Sequence, residues 1–487
     1  MTADALPAMT SPELLRCDCL IGGSWVSSDE VFPVIDPATE NVIAHVSSAS
    51  EAQVGLAVAE AKMAQVSWFK ENPRHREALL NNWCDQVTEA REELAALIVL
   101  EQGKPLAEAL GEIDYAASFL RWFAAETRRS YGRTIPSHFE DSHLSTRMIP
   151  VGVAALVTPW NFPAAMLTRK AGAALAAGCG VVAHPSPETP LTALALGELA
   201  VKAGFPSGLI NILPGDSKRV VGQLCDDPRV GALSFTGSTE IGSLLLSQSA
   251  STVKKVSMEL GGHAPFIGFA DYPLSDLVDA AIDAKFQTSG QDCLAANRIL
   301  IEADIYEDFI ALFAERIRQL RVGNGFDKGV QIGPLQNRNQ VVKSARHFED
   351  AVSKGARAVV SAEAQGSRGY FHGPALVADV DSSMAIWQEE TFGPVAGVTR
   401  FSSVADALTL ANDTQYGLAA YVFSTDIGKA IALRDQLEFG MVAINRVSMT
   451  GPEIPFGGTK CSGIGREGAD QGMLEFMESR YCCMQIA

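Results

Sequence analysis

From residue 151 onward the chain alternates short β-branched runs with helical stretches. The runs fall at residues 151–157, 181–183, 209–213, 232–235 and 253–258. Parallel strands need crossovers of about a dozen residues or more, and these intervals leave room for a helix in each gap. The pattern predicts a mainly parallel, doubly wound sheet. Pro185-Ser186-Pro187 and Pro214-Gly215-Asp216 punctuate its crossings. Ahead of it, residues 51–128 read as helix, with Leu94, Ile98 and Glu101 at helical spacing and a break at Gly103-Lys104-Pro105. A second αβ series follows Gly262, with a helix at 277–287, an apolar strand at 298–301 and a helix at 306–321. A chain of 487 residues has room for two to four domains. Its last stretch, residues 472–487, ends in Tyr481, Cys482, Cys483 and Met484 and reads as an edge strand lent to another subunit.

Asp and Glu number 57 against 39 Lys and Arg, a net charge of −18 that disfavours nucleic acid and anionic membrane as partners. An anionic ligand then needs a local basic pocket. No uninterrupted run of about 18 apolar residues occurs. Residues 1–20 carry Asp4, Glu13, Arg16 and Asp18 rather than a basic leader and an apolar run, so a cytoplasmic location is expected. Most of the nine scattered cysteines read as reduced thiols. Cys17-x-Cys19 and Cys482-Cys483 lack spaced Cys or His partners, so no metal site is expected.

Four short stretches carry chemistry. In Ser289-Gly290-Gln291-Asp292-Cys293, glycine permits close approach of a substrate to the thiol, although most of the nine cysteines must be inert. Glu259 ends an apolar strand before Gly261-Gly262, where desolvation lifts a carboxylate toward the range of a general base; a strand-end ion pair is the plainer role. Asn161 lies between Pro159 and Pro163, so its amide is either an oxyanion donor or simply a turn former. Residues 235–242, Phe-Thr-Gly-Ser-Thr-Glu-Ile-Gly, read as strand, turn and helix start, an arrangement that points backbone N–H groups at a pyrophosphate. The one true G-x-G-x-x-G, residues 463–468, lies too near the C-terminus to open a βαβ unit.

Together these stretches resemble the aldehyde dehydrogenase superfamily, from Ile21-Gly22-Gly23-Ser24-Trp25 to Pro455-Phe456-Gly457-Gly458. The 34 positions from Glu259 to Cys293 match the family's base-to-nucleophile interval. The resemblance implies an α/β subunit with a Rossmann-like dinucleotide-binding domain (1–127 and 150–260) and an α/β catalytic domain (261–474). A small β oligomerisation arm (128–149 and 475–487) completes it, in a homodimer or homotetramer. It also implies Cys293 as nucleophile, Asn161 as oxyanion donor, Glu259 as base for water and Lys170 in proton relay or positioning. Trp160, Gly237 and Ser238 fall at the pyrophosphate, and Glu390 and Phe392 at the nicotinamide ribose and ring.

The sequence departs from the family after residue 183. His184-Pro185-Ser186-Pro187 stands where Lys-Pro-Ser/Ala-Glu is usual, with His184 and Ser186 at the adenosine ribose. Pro187 removes a carboxylate that would repel a 2′-phosphate, so the cofactor is NAD or NADP with a lean to NADP. His263 replaces a common Asn beside the base, and Ala295 stands where some relatives carry a second cysteine. Residues 162–170, Ala296-Asn297-Arg298 and 465–468 resemble the succinate-semialdehyde dehydrogenase branch most. That likeness implies a small-molecule aldehyde with a carboxylate, held by Arg169 and Arg298 with Thr450 in place of a serine. Glutarate or 2-oxoglutarate semialdehyde, a thiol hydrolase and a non-catalytic relative are the alternatives.

Overall fold

The computed structural model describes residues 12–362 and 368–486. The first eleven residues, including Asp4, lie outside them. An eight-stranded sheet runs in the order Gly463–Ile464, Lys255–Glu259, Val230–Thr236, Val153–Val157, Gly180–His184, Ile210–Ile212, Cys19–Ile21, Ser24–Val26. The five strands from Lys255–Glu259 to Ile210–Ile212 pair in parallel, so their carboxyl ends share one edge. Val153–Val157 and Gly180–His184 are buried at every residue, as expected for strands covered on both faces.

The helical stretch resolves into Glu51–Trp68, Pro73–Glu89, Arg91–Gln102 and Leu106–Glu126. Ser50 and Gln53 close a capping box on the first, and Pro73 opens the second behind Asn72. Gly103, at φ 90°, ends the third in the left-handed region where glycine costs least.

A second sheet has seven strands: Arg357–Val360, Ala375–Ala378, Val395–Phe401, Arg298–Glu302, Pro265–Gly268, Ala419–Phe423 and Met441–Ile444. All its pairings are parallel except that of the edge strand Arg357–Val360. The chain re-enters the first sheet earlier than the expected boundary after 474. Gly463–Ile464 pairs antiparallel with Lys255–Glu259, and Met473 and Phe476 pack in the first core.

Residues 477–485 form the outer strand of a third sheet, with Ser142–Pro150 and Arg133–Ile135 behind it. Tyr481, Met484 and Ile486 stand about half exposed along this edge. Among the described residues no helix is long and apolar enough to cross a membrane.

Two acidic side chains from the helical layer cap the helices of the sheet. Helix Ala165–Ala177 has no side-chain cap of its own. Glu112 Oε1 instead accepts from the N–H groups of Ala164 and Ala165 at 2.9 and 3.3 Å, where the helix dipole favours a negative charge. Glu101 does the same for Leu191 and Thr192 at 2.7 and 2.8 Å. Lys104 Nζ then joins Glu112 Oε2 at 2.5 Å to the carbonyl of Asn161 at 2.7 Å, all three groups buried. Breaking a buried pair strands a charge, so Lys104→Ala should cost about 3–5 kcal/mol, read as a lowered urea midpoint at unchanged slope. A loss below about 1 kcal/mol would show that the pair does not hold this turn.

Candidate active site

Residues from both large sheets line a cleft of about 930 Å³. Cys293 reaches it at the end of a strained approach. After helix Leu274–Phe286, Thr288, Ser289 and Gly290 all lie at positive φ (50°, 57° and 72°). Such residues cost of order ~1–3 kcal/mol each when they bear side chains, so surrounding contacts must hold them. Glu108 accepts from the Thr288 N–H at 3.0 Å, Ser289 Oγ donates to the Gly333 carbonyl at 3.1 Å, and Gln291 Oε1 accepts from the Gln336 N–H at 2.9 Å. From the other side the loop after Glu259 passes close by. A Cβ on Gly262 would fall 1.9 Å from the Cys293 carbonyl oxygen, so only glycine fits there.

The cleft brings together Cys293, Glu259, Asn161, Arg169 and Thr450. Burial pushes the Cys293 thiol well above its ordinary range, and the carboxylates of Glu259, Asp292 and Glu390 push it further. Burial also raises the Glu259 carboxyl far above the usual range, with Glu467 adding to it and Arg169 and Lys170 opposing. Glu259 Oε1 has no hydrogen-bond partner among the described residues. Two neighbouring acids that both resist ionisation form a pair between which a proton can move. Asn161 Nδ2 donates to the Gln291 carbonyl at 3.0 Å, which ties the amide to the nucleophile's loop.

Arg169 is 1% exposed. Its Nε forms an ion pair with Glu467 at 2.7 Å, and its guanidinium stacks 4.3 Å from the Phe456 ring, while Nη1 has no hydrogen-bond partner among the described residues. Lys170 does not line the cleft. Its Nζ bonds Ser234 Oγ at 3.0 Å and pairs with the same Glu467, so it acts on Glu259 only through space. Burial lowers the Lys170 ammonium, and Glu467 opposes that effect.

The other end of the cleft has the form of a dinucleotide site. Ser238 caps helix Thr239–Ser249 by accepting from the Ile241 N–H, and a Cβ on the preceding Gly237 would strike the Phe235 ring at 2.4 Å. Trp160 and Phe392 meet edge to face at 5.3 Å. Glu390 Oε1 accepts from the Gly262 N–H at 2.9 Å, and burial pushes this carboxyl up to about 7. Open N–H groups at a helix start, an aromatic pair and a carboxyl group fit a phosphate, a flat ring and a sugar hydroxyl.

Besides Lys170, three expected site residues stand outside the cleft. Arg298 is buried at the start of a strand of the second sheet, where it donates to the carbonyls of His263, Leu410 and Ala411 and stacks 5.4 Å from Trp387. Its donors are consumed by backbone, so it is corrected from a substrate ligand to a packing residue. His184 is buried, with Nδ1 on the Leu213 carbonyl and Nε2 on Ser217 Oγ. Burial drives its pKa down to about 4, so it is neutral at pH 7 and supplies no cation to a 2′-phosphate. Ser186 Oγ donates to Glu188 and does not line the cleft. His263 is also buried, and its Nε2 pairs with the Trp387 carbonyl.

Sequence reasoning missed Glu467, Glu112 and Lys104. Glu467 lies inside the dismissed G-x-G-x-x-G, and nothing local to it signals that Arg169 and Lys170 would fold onto it from about 300 positions away. Asp292, beside the nucleophile, also lines the cleft.

The chain matches the aldehyde dehydrogenase family model over residues 25–482 and belongs to that family. It is 48% identical over 473 residues to a non-phosphorylating aspartate-semialdehyde dehydrogenase of Halomonas elongata, covering 97% of this chain and 96% of that one. It is 43% identical over 480 residues to the NADP(+) succinate-semialdehyde dehydrogenase GabD of Escherichia coli, covering 98% and 100%. A crystal structure of succinate-semialdehyde dehydrogenase from Burkholderia pseudomallei superposes with a TM-score of 0.96 at 42% identity, covering 99% of this chain and 100% of that one.

Because Glu259 and Cys293 both hold their protons above the usual range, kcat/KM for an aldehyde should climb as pH rises from 6 to 9, as base and thiolate form. Glu259→Gln should cut turnover by about 10²–10⁴-fold and flatten that rise. A profile flat in the parent enzyme would contradict the assignment.

Proposed function

We propose that the chain oxidises a short carboxylated aldehyde to the acid with NAD or NADP, with succinate semialdehyde as the reference substrate. One observation carries the substrate class. The buried guanidinium of Arg169 presents an unpartnered Nη1 in the same cleft as the Cys293 thiol. A buried donor left unpaired is costly, and a substrate carboxylate satisfies it. The relatives named above for semialdehydes support the same reading.

Glu259 takes the thiol proton, and Cys293 Sγ bonds to the aldehyde carbon. The oxygen of that adduct becomes an oxyanion, which the Asn161 amide and the Cys293 N–H stabilise. Phe392 and Glu390 would hold a nicotinamide, which when bound would accept the hydride from this carbon; the carbon left on Cys293 is then a thioester. After the proton taken from the thiol has passed from Glu259 to solvent, the carboxylate deprotonates a water, which attacks the thioester carbon. The C–S bond breaks, the acid departs and the thiol recovers its proton. Lys170 and Arg169, held in place by Glu467, set through space the field in which Glu259 alternates between acid and base. Ser238 and Gly237 would hold the pyrophosphate, with Trp160 against them.

Cys293→Ser should lower NAD(P)H formation by at least about 10³-fold. Arg169→Gln should lower the preference for 4-oxobutanoate over butanal by about 10–100-fold, the value of one or two charge-assisted hydrogen bonds. Equal loss toward both aldehydes would assign Arg169 a structural role only. With no carboxylate at Pro187 and no charge at His184, kcat/KM for NAD and NADP should agree within about tenfold. Discrimination of a hundredfold would overturn this reading of the turn.

A further inference from the structure

The segment that carries Glu390 and Phe392 is held from behind by a side chain the mechanism does not use. Glu390 and Phe392 line the cleft, whereas Thr391 between them does not and is fully buried. Its hydroxyl instead meets helix Arg338–Ser353, where His347 Nδ1 lies 3.2 Å from Thr391 Oγ1. The same imidazole reaches Glu389, with Nε2 at 3.2 Å from Oε2. One ring therefore bridges the residues on either side of Glu390.

His347 is itself buried, and burial drives its pKa down to about 4, with Glu389 opposing and Lys343 adding to the effect. At pH 7 it is neutral and offers one donor and one acceptor. A carboxylate can only accept, so Nε2–H donates to Glu389 and Nδ1 accepts from the Thr391 hydroxyl. Arg346 donates to the same Glu389 oxygen.

The segment needs such support. Phe392 lies at φ 52°, a conformation that a residue with a side chain keeps only where its surroundings over-determine it. The next residue leaves no slack. A Cβ on Gly393 would fall 2.2 Å from Ser344 Oγ, three residues before His347 on the same helix. On the other side, a Cβ on Gly290 of the nucleophile loop would fall 2.4 Å from the Gly393 carbonyl oxygen. The segment is thus clamped between helix Arg338–Ser353 and the loop that leads to Cys293.

We infer that His347 is a positioning residue for the nicotinamide half of the dinucleotide: by tying Thr391 and Glu389 to helix Arg338–Ser353, it fixes the Glu390 carboxyl and the Phe392 ring in the cleft. This rests on the proposal that those two side chains hold the nicotinamide and its ribose, and adds what holds them. His347 does not line the cleft, so it acts only through the segment.

The test is steady-state kinetics of the intact enzyme with 4-oxobutanoate and whichever of NAD and NADP it uses better. His347→Ala should raise the dinucleotide KM by about tenfold, the value of one or two hydrogen bonds to a buried group. The aldehyde KM, and the rate at which iodoacetamide alkylates Cys293 without dinucleotide, should stay within about twofold of the parent. His347→Asn keeps a hydrogen-bonding group in the place of Nδ1 and should recover most of the loss. Thr391→Val should reproduce the loss, and the double variant should add nothing to it. It also keeps side-chain volume, so it carries the test should His347→Ala fail to fold. A dinucleotide KM unchanged in Thr391→Val and in every His347 variant that folds overturns the inference. So does a rise in aldehyde KM equal to that for the dinucleotide. Glu390→Gln separates this role from the cofactor placement beneath it. If only Glu390→Gln raises the dinucleotide KM, His347 loses its role and the nicotinamide keeps its place; if none of the variants does, both fall.

Discussion

A buried ammonium at Lys104 joins three layers of this molecule. It ties the helical layer, through Glu112, to the start of the first-sheet helix Ala165–Ala177, and it ties both to the carbonyl of Asn161. An isolated charge at that depth would be prohibitive, yet with two oxygen partners the arrangement is self-consistent. The consequence is positional. Asn161 is fixed from its carbonyl side by Lys104 and from its amide side by the Gln291 carbonyl, so the turn and the nucleophile loop share one frame. Arg169 and Lys170 follow on the helix that Glu112 caps, and of the two only Arg169 lines the same cleft.

The chemistry depends on burial at least as much as on charge. Glu259 and Cys293 are raised chiefly by desolvation, and their neighbours only modulate the effect. Glu467 shows how finely this is balanced. It opposes ionisation of Glu259 directly, yet it also anchors the two cations that favour it. One carboxylate thus sets both signs of the local field.

Much of the scaffold was legible in the chain because parallel strands covered on both faces leave continuous apolar runs. Each of the five runs from 151 to 258 coincides with a strand to within a few residues. The nucleophile and base were legible through glycine-flanked motifs and their separation, and the cleft brings both together. What local pattern could not show was which arginine faces the cleft. Arg169 and Arg298 look alike in sequence, but the donors of Arg298 are taken by carbonyls near residues 410 and 411, an arrangement that exists only after the second sheet closes. The neutrality of His184 was hidden for a similar reason. Its charge depends on whether the crossing leaves it wet, and Leu213 and Ser217 enclose it. Glu467 was invisible because the motif around it advertised a different chemistry.

The position of Glu467 has a bearing on folding. The cations it pairs with lie roughly 300 residues earlier in the chain, so the field around Glu259 depends on contacts of very long sequence separation. Closing so long a loop costs entropy, which ties the charge balance of the reaction centre to completion of the tertiary fold rather than to any local element.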